Sequence, residues 1–165
     1  MKRKILSIGV LSLLLLPALA LASVSVVQDS CVTFNQGGIV YNKTYFTVVN
    51  FNLPAPVCRI VFIPEPLPAP PQCVILGTEQ PAGWTGNAPL PDGGATWFTG
   101  SNCILPGTDL HGFSFTTDPD FCCYLVQFYD PNGFFLAQQE ECFIRCEHPV
   151  AVEPNSWGSV KSQYR

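Results

Sequence analysis

The residues best suited to chemistry are eight cysteines: Cys31, Cys58, Cys73, Cys103, Cys122, Cys123, Cys142 and Cys146. Metal ligation and disulfide bonding are the two chemistries open to them. Cys142, Cys146 and His148 lie close together, as zinc ligands do. Structural zinc, however, draws on two short-spaced ligand pairs, and here the second pair would be the adjacent Cys122 and Cys123, which cannot both turn comfortably toward one ion. No C-x-x-C occurs, so the redox motif is missing as well. An even cysteine count spread along a chain with an export signal reads as four disulfides, with no metal and no cofactor.

Eight cysteines allow on the order of a hundred pairings. A bond between the neighbours Cys122 and Cys123 would be strained. Phe121 to Tyr129 reads as a strand, Asp130-Pro131-Asn132-Gly133 as a turn, and Phe134 onward as the returning strand. Folding about that turn carries Cys142 back to Cys122, so a Cys122–Cys142 bridge is expected. Cys123 would then face the other side and take a different partner.

Other reactive groups are few. His111 and His148 are the only histidines. Neither accompanies a nucleophile motif, and G-x-S-x-G, H-E-x-x-H, the phosphate-cradling glycine loop and the dinucleotide fingerprint are all absent. No catalytic residue is assigned, and the chain reads as a non-enzyme. His111 opens a strand after a turn and is expected at a solvent-exposed edge. Asp118, Asp120, Glu140 and Glu141 could collect at one end of a sheet, where calcium would want their oxygens. Asp130 lies a full strand away, about 30 Å. Ordinary turn and rim positions are the stronger reading of these acids.

Trp84, Trp97 and Trp157 are the candidate ligand-binding residues, because an exposed indole can stack on a sugar ring. Trp84 and Trp97 fall inside strand-like segments, where a buried core position is the stronger reading for both. Trp157 lies in the polar C-terminal stretch.

These residues must be positioned by β structure. Segments 24–34, 38–51, 57–63, 72–77, 83–86, 94–99, 111–117, 121–129 and 133–145 are rich in Val, Ile, Phe, Tyr and Thr. Gln36-Gly37-Gly38, Asn52-Leu53-Pro54, Pro91-Asp92-Gly93-Gly94 and Pro106-Gly107 punctuate them as turns. In His111–Thr117, Phe113 and Phe115 should face a core while Ser114 and Thr116 face water. Phe121–Tyr129 is apolar on both faces and should be a central strand. Pro64, Pro66, Pro68, Pro70 and Pro71 crowd a stretch that cannot donate to a ladder and should be an extended surface loop. Seven to nine short strands at this spacing predict an all-β, disulfide-stapled antiparallel sandwich.

The chain has 165 residues. Met1-Lys2-Arg3-Lys4, an apolar stretch from Ile5, and the small residues Ala20 and Ala22 form a secretory signal over 1–22, cleaved before Ser23. Its removal takes Lys2, Arg3 and Lys4, lowering the basic residues from 8 to five against 12 acids, for a net charge of −7. Five scattered cations cannot neutralise a run of phosphates, so nucleic acid is not a partner. No later apolar run is long enough to span a bilayer, so the mature chain is expected to lack a membrane span. Residues 23–146 should form one sandwich domain and 147–165 a polar tail.

Several phrases also occur together in order: Phe62-Ile63-Pro64-Glu65-Pro66, Pro81-Ala82-Gly83-Trp84, Cys103-Ile104-Leu105-Pro106-Gly107, Gly112-Phe113-Ser114-Phe115, Phe121 to Phe128 and Glu140-Glu141-Cys142-Phe143. The set resembles a group of uncharacterised secreted, cysteine-rich proteins of environmental bacteria, over residues 45–146. The ending from Trp157 to Arg165, a W-G-x-[IV]-K-x-x-Y-R pattern, resembles a short tail on exported proteins of similar bacteria. The resemblance implies a bacterial source and export, is consistent with an immunoglobulin-like sandwich, and supplies no site residues. The expectation is therefore a secreted, extracellular or periplasmic, non-catalytic module with a structural, adhesive or envelope-associated role, facing a cell-surface or extracellular protein or glycan. The alternative is an extracellular carbohydrate- or ligand-binding domain using exposed aromatics.

Overall fold

The structure, a computed structural model, describes residues 23–65, 73–118, 122–143 and Cys146. The expected signal, most of the proline-rich loop, Asp120, and the tail with His148 and Trp157 lie outside the described residues.

Nine strands run β1 Val24–Gln36, β2 Ile39–Asn50, β3 Arg59–Pro64, β4 Gly77–Glu79, β5 Thr85–Asn87, β6 Ala95–Phe98, β7 Thr108–Thr117, β8 Cys122–Tyr129 and β9 Phe135–Phe143. Among the described residues there is no helix. One sheet has the order β1-β2-β7-β4, the other β5-β6-β3-β8-β9, and every pairing is antiparallel. β1-β2-β7 follows the A-B-E order of an immunoglobulin sandwich and β3-β8-β9 its C-F-G order. The middle departs from that plan, because β4 joins the first sheet before β5 and β6 extend the second.

Strand alternation builds the core. Phe46 and Val48 of β2, Ile60 and Phe62 of β3, Trp97 of β6, Phe113 and Phe115 of β7, and Val126 and Phe128 of β8 all point between the sheets and are buried. Phe46 is the hub: its ring centroid lies 5.2 Å from Phe62 and 5.3 Å from both Trp97 and Phe113. Fully burying such a side chain contributes about 1.5–3 kcal/mol. β8 sits between β3 and β9 as a central strand should, although its outward residues are only half-buried.

Two expectations change. Residues 73–76 are not a regular strand; the ladder to β7 begins only at Gly77. Ser114 is not solvated but 1% exposed, because β4 brings Glu79 directly opposite it and its hydroxyl donates to Glu79 Oε2 at 3.5 Å.

All eight cysteines are paired: Cys31–Cys146, Cys58–Cys103, Cys73–Cys122 and Cys123–Cys142. The expected Cys122–Cys142 bridge is therefore displaced by one residue. Tyr129 pairs with Phe135, but Phe128 pairs with Ala137, so Leu136 is an extra residue in β9. That bulge moves every later partner by one, bringing Cys142 opposite Cys123. Side chains alternate, so Cys122 turns into the core, 4% exposed, and bonds Cys73. With Cys142 and Cys146 both in disulfides, the zinc alternative has no free thiolate there.

Candidate functional site

Two places on the sandwich surface gather polar or aromatic groups. The first is a knot on the outer face of the β1-β2-β7 sheet. β1 carries a bulge between Gln28 and Ser30, and β7 carries one where His111 and Gly112 together oppose Thr47. Gly112 has φ +95°, a left-handed conformation that suits glycine. The two bulges aim Asp29 and His111 at Thr47 from opposite sides. Thr47 Oγ1 donates to Asp29, at 2.7 Å from Oδ2, and meets His111 Nδ1 on its other side. A hydroxyl has one proton; with that proton given to Asp29, its oxygen accepts from His111 Nδ1–H. His111 Nε2 lies 3.1 Å from Asp109 Oδ2.

Hydroxyl, imidazole and carboxylate are the ingredients of nucleophilic catalysis. Here the hydroxyl belongs to a residue 3% exposed, whose proton is already engaged by a second carboxylate. No substrate atom can approach Thr47 Oγ1 without dismantling the knot, so the arrangement cross-links three strands. The sequence places His111 at an exposed edge; its side chain is indeed largely exposed, but on a sheet face, and nothing in the sequence marks Thr47 as its partner.

The second place lies on the outer face of the other sheet. Thr85 pairs with Phe98, Phe98 with Arg59, Arg59 with Tyr129, and Tyr129 with Phe135. These five residues form one straight row across β5, β6, β3, β8 and β9. Their inward neighbours Ile60, Trp97 and Phe128 are buried, so the row faces outward. Phe98 and Phe135 are 45% and 53% exposed. The Arg59 guanidinium lies 5.5 Å from the Tyr129 ring centroid, its Nε donates to Thr96 Oγ1 at 3.4 Å, and Tyr129 meets Phe135 edge-on at 5.9 Å. A cleft of about 380 Å³ opens beside Arg59 and Phe98 and is lined also by Asp130 and Pro131. Asp130 Oδ1 accepts from the backbone N–H of Asn132 and of Phe134, both at 2.8 Å, which holds the turn.

Trp84 and Trp97 are elsewhere. Trp84 is 5% exposed and Trp97 fully buried. Their Nε1–H groups donate to backbone carbonyls of Asn102 and Glu79, at 2.9 and 3.1 Å. Neither can present an indole face to a sugar, which corrects the ligand-binding role allowed to them. Glu140 and Glu141 are likewise separated: Glu141 pairs with Tyr124 on the inward side and Glu140 with Leu125 on the outward side, so the two carboxylates leave opposite faces of β9. Among the described residues, no group of three His, Cys, Asp or Glu could hold a metal ion. No helix among them is long and apolar enough to cross a membrane.

No protein-family model matches the chain, and no curated protein does. Among solved structures, it is similar to an uncharacterised protein from Nocardia farcinica described as having an immunoglobulin-like fold. The TM-score is 0.43 at 17% identity, covering 76% of this chain and 89% of that one.

Proposed function

We propose that the protein is an exported, non-catalytic β-sandwich module with a structural, adhesive or envelope-associated role outside the cytoplasm. What carries this reading is the use made of the side chains able to react. Every cysteine is in a disulfide, and among the described residues the hydroxyl that meets a histidine, Thr47 Oγ1, is buried between two strand bulges. Four disulfides suit an oxidising compartment, extracellular or periplasmic. Export is supported by the basic, apolar and small-residue succession over 1–22, with cleavage before Ser23.

The test is the intact mass of protein secreted through its own leader, alkylated without reduction, followed by a broad hydrolase screen. The reading expects a chain starting at Ser23, no alkyl adducts, and no turnover. Turnover abolished by His111→Ala in a protein that keeps its melting temperature would overturn it.

A further inference from the structure

The row Phe98–Arg59–Tyr129–Phe135 is the most unusual feature of the surface. Among the described residues Lys43 pairs with Glu79 and His111 contacts Asp109, and Arg59 is in neither pair. The unpaired guanidinium is held by Thr96 and by the Tyr129 face, with one exposed phenylalanine on the neighbouring strand and another one strand further on the opposite side. Two residues along the strands lies a second register-paired row, Asn87–Thr96–Val61–Gln127–Gln138, in which Thr96 and Val61 are buried and Asn87, Gln127 and Gln138 reach solvent. An aromatic row thus runs beside a row richer in amides, both perpendicular to the strands. From Phe98 to Phe135 is three strand spacings, roughly 14 Å.

We infer that this face binds an extended glycan carrying a carboxylate-bearing sugar. The inference rests on the adhesive reading above, for which it supplies the surface and the ligand class. Sugar rings offer apolar C–H faces to Phe98 and Phe135, and hydroxyl edges to Asn87, Gln127 and Gln138. Arg59 selects the acid: a guanidinium forms paired charge-assisted hydrogen bonds with a carboxylate, and among the described residues this one forms no ion pair with a carboxylate. The mature net charge of −7 favours a polymer with sparse acid groups over a densely charged one.

The full mature chain is titrated calorimetrically with a glucuronate-substituted xylo-oligosaccharide and with the same oligosaccharide lacking glucuronate. The substituted form should bind more tightly. Phe98→Ala and Arg59→Gln should each weaken it about tenfold or more, while Val27→Ala on the opposite sheet changes nothing. Arg59→Gln should also abolish the preference for the substituted form. All three sites are exposed, so melting temperatures should stay level. No binding of either oligosaccharide, binding untouched by both variants, or binding of an acidic peptide instead would overturn the assignment. Oligosaccharide recovered cleaved would overturn the non-catalytic reading and leave the glycan face standing.

Discussion

Tyr124 and Glu141 stand opposite each other on β8 and β9, both pointing between the two sheets. Neither is well served there. Tyr124 is fully buried among Phe62, Phe115 and Phe143, and its hydroxyl finds no hydrogen-bond partner among the described residues. Glu141 sits on the open-edged β9, where an inward charge discourages another chain from pairing with that edge.

Tyr124→Phe should stabilise the fold by about 1 kcal/mol, since it removes an unsatisfied buried polar group and keeps the ring. Burial also pushes the phenol well above its ordinary range, with the Asp118 charge adding to the effect. A raised folded value means stability is intact below the ordinary pKa of 10.0 and is lost as pH climbs above it, because only the unfolded chain ionises freely. Denaturant midpoints at pH 8 and pH 11 should therefore lie further apart in the native protein than in the variant, where the Lys43–Glu79 pair still contributes a pH dependence. A destabilised Tyr124→Phe would mean the hydroxyl has a partner.

Glu141→Gln tests the neighbouring strand. Burial raises the Glu141 carboxyl above its ordinary 4.5, and the bond from Gln139 Nε2 at 3.1 Å offsets only part of that. The folded state then binds the proton more tightly. Its contribution is most favourable below the ordinary value and is lost as pH rises through the folded one. Glu141→Gln should gain stability at pH 7 and none at pH 4, by urea denaturation. Sedimentation should also show more self-association, because the inward charge guarding the edge is gone.

Disulfides should be unequal. Cys31–Cys146 spans 115 residues and Cys123–Cys142 spans 19. Loop-closure entropy gives about 5 kcal/mol for the first and about 3 kcal/mol for the second. The double serine variant of the long pair should lose roughly 1.5 kcal/mol more than that of the short pair. Full reduction should unfold the chain, because four bridges together rival a domain's net stability of about 5–15 kcal/mol. An unchanged circular dichroism spectrum and melting temperature after reduction would contradict this.

Thr47→Val should cost about 1 kcal/mol by removing the hydroxyl that joins β1 to β7 across β2. Asp29 and His111 lie at the surface and can turn to water, which keeps the loss modest. A loss above about 3 kcal/mol would mean the knot carries more than a strand cross-link.

The sandwich was legible because β-rich runs and turn chemistry are local signals. Phe113 and Phe115 face inward as their alternation requires. What escaped depends on register. Nothing in the sequence marks Leu136 as a bulge, yet that one residue decides whether Cys142 meets Cys122 or Cys123. Ser114 looked solvated because its cover, Glu79, comes from a strand of three residues too short to recognise. Aromatic residues suggested a binding face, but tryptophan was the wrong guide. The size of Trp97 takes it into the core, while Phe98 beside it faces out. Arg59, Phe98, Tyr129 and Phe135 are scattered along the chain and share a row only once four strands are aligned.

The most direct test of the stapled, non-catalytic sandwich is disulfide mapping of the secreted protein. It would be digested without reduction, and the bridged peptides fragmented between Cys122 and Cys123. The account predicts Cys122 joined to Cys73, Cys123 to Cys142, and Cys146 to Cys31. A Cys122–Cys142 bridge, or free thiols at Cys142 and Cys146, would contradict it.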